Sequence, residues 1–397
     1  MTGRIWVAGS VGLILLGVAE FVLPHYVSRF VVRLGADLGL TARLAPPVRA
    51  TIPETAVETN EFAFEMIGLA ALTVQAQAAG VFGVPGQSDF WMAEQGAVVL
   101  GPYDVSGLLE AQGYANATEY LGGIKQLITI NDSTFALGGF SQGDCYFGAL
   151  IDLERMAVVE QFPCLPDNAE SLDFKGIGGG FAVMGDALFM ALGTASDAVP
   201  SSKNDLAQDA GSPYGKILRY DIVADAGGVA LQNRRIFTSG HRNPQGMVVL
   251  GNHLLAVEHG PKGGDEINVI VEGANYGWPL YSAGSGYDDA DFPSFAAAGT
   301  GFTNPVYSFV PSIGISDISA CPREMAEKKG GTADCVIVSA LRAQSIFIVM
   351  ADFAAGKVHS IEQVPLGARI REVFVADDVM YLVPDAASIM RVKVTAF

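Results

Sequence analysis

Residues 185–194 read GDALFMALGT. Gly and Asp are turn formers, because glycine adopts positive φ freely and aspartate hydrogen-bonds its own backbone. The short apolar run ALFMAL then predicts a strand, and it stops at a small and a polar residue. Working outward, the same unit recurs as SDFWMAEQ from Ser88, NDSTFALGGF from Asn131, GNHLLAVEHG from Gly251, ADCVIVSALR from Ala333 and DDVMYLVPD from Asp377. These six copies are spaced irregularly, roughly 43 to 82 residues apart, so insertions separate them. Six four-stranded units closing on themselves make an all-β, six-bladed β-propeller, which leaves only short edges. A pair of all-β sandwiches is the alternative, and the 47 glycines suit the tight turns of either.

Composition narrows the function classes. Half of the 397 residues are apolar and 17% are charged, so there is material for a large core and no sign of global disorder. The net charge of −18 argues against nucleic acid as a partner, because phosphate contacts need clustered Lys and Arg.

The N-terminus differs from the body. Residues 5–23, IWVAGSVGLILLGVAEFVL, carry one charge, Glu20, over a length that crosses a bilayer as a helix. No small-x-small cleavage site stands out, so the segment predicts an uncleaved transmembrane anchor. HYVSRFVVRLGADLGL follows, with Arg29 and Arg33 one turn apart opposite apolar residues, a pattern for an interfacial helix. Membrane lipid is therefore an expected partner. Residues 40–60 read as a linker, which divides the chain into an anchor segment 1–39, the linker, and a propeller over 61–397. The positive-inside rule, applied to Arg29 and Arg33 alone, puts the body in the cytoplasm. The four cysteines form two local pairs, Cys145 with Cys164 and Cys321 with Cys335, and match no zinc spacing. Two loop-closing disulfides in an oxidising compartment and four buried thiols are both compatible with that.

The densest stretch is 239–279, SGHRNPQGMVVLGNHLLAVEHGPKGGDEINVIVEGANYGWP, which surrounds two apolar runs with polar residues. In a propeller, loops at one face converge on the channel, so these residues predict loop-borne site material. GHRNPQG, EHGPKGGDEIN and GANYGWP, in this order, resemble the soluble glucose/sorbosone dehydrogenase family, as do GSPYGKILRYD from Gly211 and ARIREVFVADDVMYLVPD in the last blade. The likeness runs from about residue 176 to the end.

The resemblance implies a six-bladed propeller that oxidises aldoses with pyrroloquinoline quinone (PQQ) and calcium. PQQ is a planar tricarboxylate, which guanidinium forks hold well. By resemblance, Arg242 and Asn243 stand at the reactive carbonyl, where a donor stabilises the charge that arrives with hydride. Arg342 occupies a basic position of the family, and Arg369 and Arg371, two apart on a strand, match its Arg-x-Arg pair. The carbonyls of Gly260 and Pro261 would hold calcium, with Glu266 and the acidic turn of Asp288, Asp289 and Asp291 as further oxygen donors.

One departure is serious. The family's catalytic His falls on Gly176, the Asp that orients it on Thr194, and an Arg after the Gly pair on Gly180. Asp173, Lys175 and Asp197 are the nearest polar substitutes. Tyr276 and Trp278 suit either a sugar pocket wall or blade packing. Two functions follow as expectations. One is a membrane-anchored, PQQ-dependent sugar or alcohol dehydrogenase with a rearranged base, its propeller in the periplasm. The other is an inactive propeller serving as a binding or structural subunit of a membrane protein complex.

Overall fold

A computed structural model describes residues 56–58, 62–73, 78–83, 90–94, 99–100, 103–166, 172–196, 202–286, 301–328, 334–385 and 388–396. The predicted anchor at 5–23, Arg29, Arg33, Asp197 and the acidic turn of Asp288, Asp289 and Asp291 lie outside them. No helix among the described residues is long and apolar enough to cross a membrane.

Antiparallel sheets dominate. Gly178–Met184, Ala187–Leu192, Lys216–Asp225 and Gly228–Ser239 form one four-stranded sheet in sequence order. Pro244–Leu250, His253–Glu258, Asp265–Ile270 and Tyr307–Phe309 form the next. Ile315–Ala320, Asp334–Ala340, Ser345–Asp352 and Lys357–Pro365 form a third. Before these comes a sheet in which Gly123–Ile130, Ser133–Gln142, Cys145–Asp152 and Ala157–Gln161 pair in order. The last sheet joins Ile370–Ala376, Val379–Pro384 and Ser388–Ala396 to Phe62–Thr73 from the start of the body. Ala56–Glu58, inside the stretch read as linker, already pairs with Phe62–Thr73. Ala78–Gly83 and Phe90–Glu94 make a two-stranded sheet.

The six repeated sequence units are the second strands of these sheets. Their runs lack a polar face because each sheet is packed on both sides. Side chains alternate along a strand, so Leu188, Met190 and Leu192 pack with Phe135, Leu137 and Leu150 of the preceding sheet. Phe189 and Ala191 pack with Leu254, Ala256 and Met247 of the following one. Burial on this scale stabilises by about 1.5–3 kcal/mol per large side chain. Asn131, Gly185, Gly251 and Asp377, just before their second strands, all take positive φ, as tight hairpin turns require.

The first strand of each sheet lines a ring. Ala78–Gly83 touches Gly123–Ile130 on one side and Ile370–Ala376 on the other, and the intervening first strands contact one another in sequence order. The architecture is all-β and propeller-like. Every one of these inner strands breaks register near its start: at Ala78/Gly80, Ile124/Gln126, Gly178/Phe181, Pro244/Gly246, Ile315/Asp317 and Ile370/Glu372. A bulge leaves a residue out of the ladder and re-aims its side chain. Lys125, Gln245, Ser316 and Arg371 are such residues.

The cysteines are paired, Cys145 with Cys164 and Cys321 with Cys335, and no described cysteine is free. The first bond closes a loop across a separation of 19 residues. Such closure restricts the unfolded chain and stabilises by about 2–4 kcal/mol. Replacing Cys145 and Cys164 together by Ser is expected to lower the urea midpoint accordingly, and an unchanged midpoint would show that the loop is held by packing alone.

Asp317 ties three inner strands together. Its Oδ2 accepts the Val373 amide at 3.1 Å, and a side chain on Gly246 would run into its Oδ1. Burial pushes its carboxyl up to about 7, against the pull of the Val373 and Ile318 amides. A carboxyl raised in the folded state adds stability that is complete below its unfolded pKa. That stability is lost as pH climbs through the folded value. Asp317→Asn keeps an acceptor and cannot ionise. It is expected to change little near about pH 4 and to stabilise by roughly 1–3 kcal/mol above about pH 8, less than full linkage because Asp317 keeps some contact with water. Urea midpoints at both pH values check this, and equal midpoints at the higher one would refute it.

Candidate active site

Antiparallel pairing decides which residues share a rim. Gly178 lies opposite Leu192, Pro244 opposite Glu258, Ile315 opposite Ala340 and Ile370 opposite Pro384. The residues before each inner strand therefore meet those after each second strand at one end of the ring. Gly176, Thr194, Arg242, Asn243, His259, Gly260, Arg342, Arg369, Arg371 and Asp385 all belong to that end.

Arg242 and Asn243 are fixed by a buried clamp. Glu258 Oε2 accepts the Arg242 amide at 2.8 Å, and Glu258 Oε1 lies 2.9 Å from His241 Nδ1. The carboxylate only accepts, so Nδ1 carries the proton and Nε2 faces the Thr238 hydroxyl at 2.9 Å. Tyr276 stacks on the imidazole with centroids 4.7 Å apart. The Arg242 guanidinium donates to the His259 carbonyl at 3.3 Å and lies over the Trp278 ring, 5.3 Å from its centroid. Asn243 Oδ1 accepts from Gln245 Nε2 at 2.6 Å. Tyr276 and Trp278 are themselves buried, so blade packing is their role.

The turn at Gly260 and Pro261 is held from beneath. Asp265, fully buried, accepts from the amides of Gly260 at 3.1 Å, Gly314 at 2.7 Å and Ile315 at 3.0 Å, and from the Ser312 hydroxyl. Burial would raise its carboxyl, but these donors and nearby His259 win and hold it below its ordinary value. Gly260 has no room for a side chain, because the Gly263 and Gly264 carbonyls fill the place of a Cβ. Glu266 points elsewhere. It lies opposite Glu258 in register and accepts from Asn268 Nδ2 at 3.3 Å. Burial, then the charge of Glu258, pushes its carboxyl well up. Among the described residues no three His, Cys, Asp or Glu side chains converge on a cation position. A hard cation at this rim would rest on the backbone carbonyls of Gly260 and Pro261. Glu266, committed to Asn268, does not fit as its ligand.

Cations gather on the other arc of the rim. Arg369 Nε and Arg371 Nε grip the two oxygens of Asp385 at 2.7 and 2.8 Å, which holds both forks on one side. Arg342 is exposed and makes no ion pair with a described residue. Lys125, which sequence reasoning missed, lies within electrostatic reach of Asp173, Arg371 and Lys175. In a chain of net charge −18, Lys175, Arg342, Arg369 and Arg371 against Asp173 and Asp385 make a local positive field. That donor set fits a planar polycarboxylate such as PQQ. The one signal for Lys125 was its standing as the sole charge in the strand GIKQLITI.

The position of the missing base is closed rather than vacant. A Cβ on Gly176 would come within 2.9 Å of the Ser196 amide nitrogen, and one on Gly180 within 2.7 Å of Met247 Cγ. Thr194 Oγ1 lies 3.2 Å from Asn204 Oδ1 and 3.3 Å from the Arg242 carbonyl, in a buried network that Trp278 Nε1 joins. Thr194 thus supports the Arg242 loop. Asp173 caps the 3-10 turn Phe174–Ile177 by accepting the Lys175 amide at 2.8 Å, and Lys175 is exposed.

Comparison with known proteins agrees with this geometry. Over 146 residues the chain is 35% identical to the aldose sugar dehydrogenase YliI of Escherichia coli (strain K12), a match covering 33% of this chain and 36% of that protein. The match thus spans about a third of that relative's length. The solved apo-form of the soluble aldose sugar dehydrogenase from Escherichia coli superposes with a TM-score of 0.61 at 21% identity, covering 84% of this chain and all of that one. The PQQ-bound aldose sugar dehydrogenase of Streptomyces coelicolor gives 0.54 at 20%, covering 84% of this chain and 98% of that one. At these identities the structural likeness shows the fold. The family model described as Glucose / Sorbosone dehydrogenase matches residues 164–391, more than half of the chain, which therefore belongs to the glucose/sorbosone dehydrogenase family.

Proposed function

We propose that this chain is a six-bladed quinoprotein that binds PQQ at the rim and oxidises a hydroxyl of an aldose or a related alcohol. The observation that carries this is the arc of Lys175, Arg342, Arg369 and Arg371 in so acidic a chain. Support comes also from relatives named as aldose sugar dehydrogenases, one of them solved with PQQ. When bound, PQQ would supply the two-electron acceptor for hydride. Arg342, Arg369 and Arg371 bind carboxylates, with Asp385 keeping the last two pre-organised. Arg242, locked by Glu258, and Asn243, held by Gln245, present fixed donors where negative charge grows, which is most effective when donors need not reorganise. A calcium ion at the Gly260 and Pro261 carbonyls belongs to the same proposal, without Glu266, and no step is derived through it. We further place the body in the periplasm behind an anchor at 5–23, and the two disulfides favour an oxidising compartment.

A calorimetric titration of the full chain in detergent with PQQ and calcium tests this. We expect tight binding, weakened about 10- to 100-fold when Arg369 and Arg371 are both changed to Ala, since charge-assisted hydrogen bonds contribute about 1.5–3 kcal/mol. An absence of binding by the unaltered protein would sink the quinone reading. It would leave an inherited propeller whose role is to dock on a membrane protein complex.

A further inference from the structure

A member of this family whose base position is sealed by backbone needs another proton acceptor if it oxidises alcohols at all. Three observations converge on one side chain. Lys125 is the bulged residue of its inner strand, left out of the ladder between Ile124 and Gln126, so it projects from the ring wall at the rim. It stands against the glycine run: the place of a Cβ on Gly179 is 3.2 Å from Gln126 Cβ and 3.9 Å from Lys125 Cβ. The absence of a side chain at Gly179 leaves room for the lysine stem there. Its charged neighbours are Asp173 and Lys175, which precede Gly176 in sequence, and Arg371 from the inner strand beyond Ala78–Gly83, itself held by Asp385. Lys125 thus stands on the inner strand next to that of the sealed base position, at the same rim and within electrostatic reach of Asp173 and Lys175.

We propose that Lys125 is the catalytic base of this chain, taking the role that a histidine at position 176 would have had. The proposal rests on the quinone reading given above. In the step it performs, the substrate hydroxyl gives its proton to the Nζ lone pair. The carbinol C–H pair leaves as hydride to the bound quinone, and the carbon becomes a carbonyl. The ammonium then returns its proton to water. The Leu121 carbonyl accepts one N–H of Lys125, which steers the amine without occupying its lone pair. Burial first, and the charges of Arg371 and Lys175 after it, lower the pKa of this group to about 8, against the pull of Asp173. A useful fraction of the amine is therefore neutral near physiological pH.

Two variants separate a base from a mere cation. Lys125→Arg keeps the charge but cannot accept a proton, and Lys125→Met removes both functions. In the full-length protein, both variants are expected to bind PQQ within about threefold of the unaltered chain while losing roughly 10²–10⁴ of aldose turnover. Turnover by the unaltered chain should rise with pH to a plateau above about 8. A readout that needs no cofactor is the rate of Lys125 acylation against pH, followed by peptide mass spectrometry. Its midpoint should fall at about 8, below the ordinary value of a lysine side chain. Turnover that survives in Lys125→Arg, PQQ affinity that falls in step with turnover in Lys125→Met, or acylation in step with exposed lysines would each overturn the assignment. Failure of the unaltered chain to bind PQQ would instead remove the quinone reading and this step together, and the acylation midpoint distinguishes the two failures.

Discussion

Everything in this protein depends on closing a ring. The strand Phe62–Thr73 pairs with Ser388–Ala396 over a register running from Phe62 opposite Ala396 to Gly68 opposite Met390. The two ends of the body are thereby hydrogen-bonded into one sheet, and each inner strand has another on either side of it. Closure also forces the inner strands together around an axis. Gly178 must then be glycine, because a Cβ there would come within 2.9 Å of the Pro244 carbonyl, and Gly246 lies against Asp317 for the same reason. The tight inner wall is a geometric result of the ring, and the rim at its end is the one place where polar residues can gather without breaking the core.

Two electrostatic regimes share that rim. Beneath Arg242 and Gly260 the charges are buried and satisfied: Glu258 serves His241, Asn268 and a backbone amide, while Asp265 collects three amides and a hydroxyl. Such groups fix geometry, because a buried carboxylate that loses its donors leaves an uncompensated charge. On the opposite arc the charges are solvated and in positive excess, and these are available to a ligand. A rigid anionic foundation under one arc and a cationic surface on the other suit a site that must orient an anionic, redox-active ring.

Much of this was legible in the sequence because the cues were local. A polar turn followed by a short apolar run marked all six second strands, and four of those turns carry a residue at positive φ. The Arg-x-Arg pair lay two residues apart, so period alone placed both on one face. What stayed hidden needed three-dimensional contact. Glu266 reads as a metal ligand beside Gly260 and Pro261, yet strand alternation turns it toward Glu258 and Asn268. Tyr276 and Trp278 read equally as sugar walls, and only burial assigns them to packing. Lys125 lies about fifty residues before Lys175 in a stretch without motif, and its neighbours come from two other elements. Gly176 reads as a lost base, whereas the contact with Ser196 shows a position that has been filled by backbone.

The register breaks at the head of each inner strand give the rim an interchangeable socket per sheet. Ala79, Lys125, Gly179 with Gly180, Gln245, Ser316 and Arg371 occupy equivalent places outside the ladder, yet range from no side chain to a full guanidinium. What such a residue can be is set by its packing rather than by pairing: Met247 excludes a side chain at Gly180, whereas Lys125 and Arg371 have room to project. Chemistry at this mouth can therefore drift from one sheet to another over evolutionary time while the ring keeps its shape. Under the assignment of Lys125 as base, the proton acceptor stands one inner strand away from Gly176.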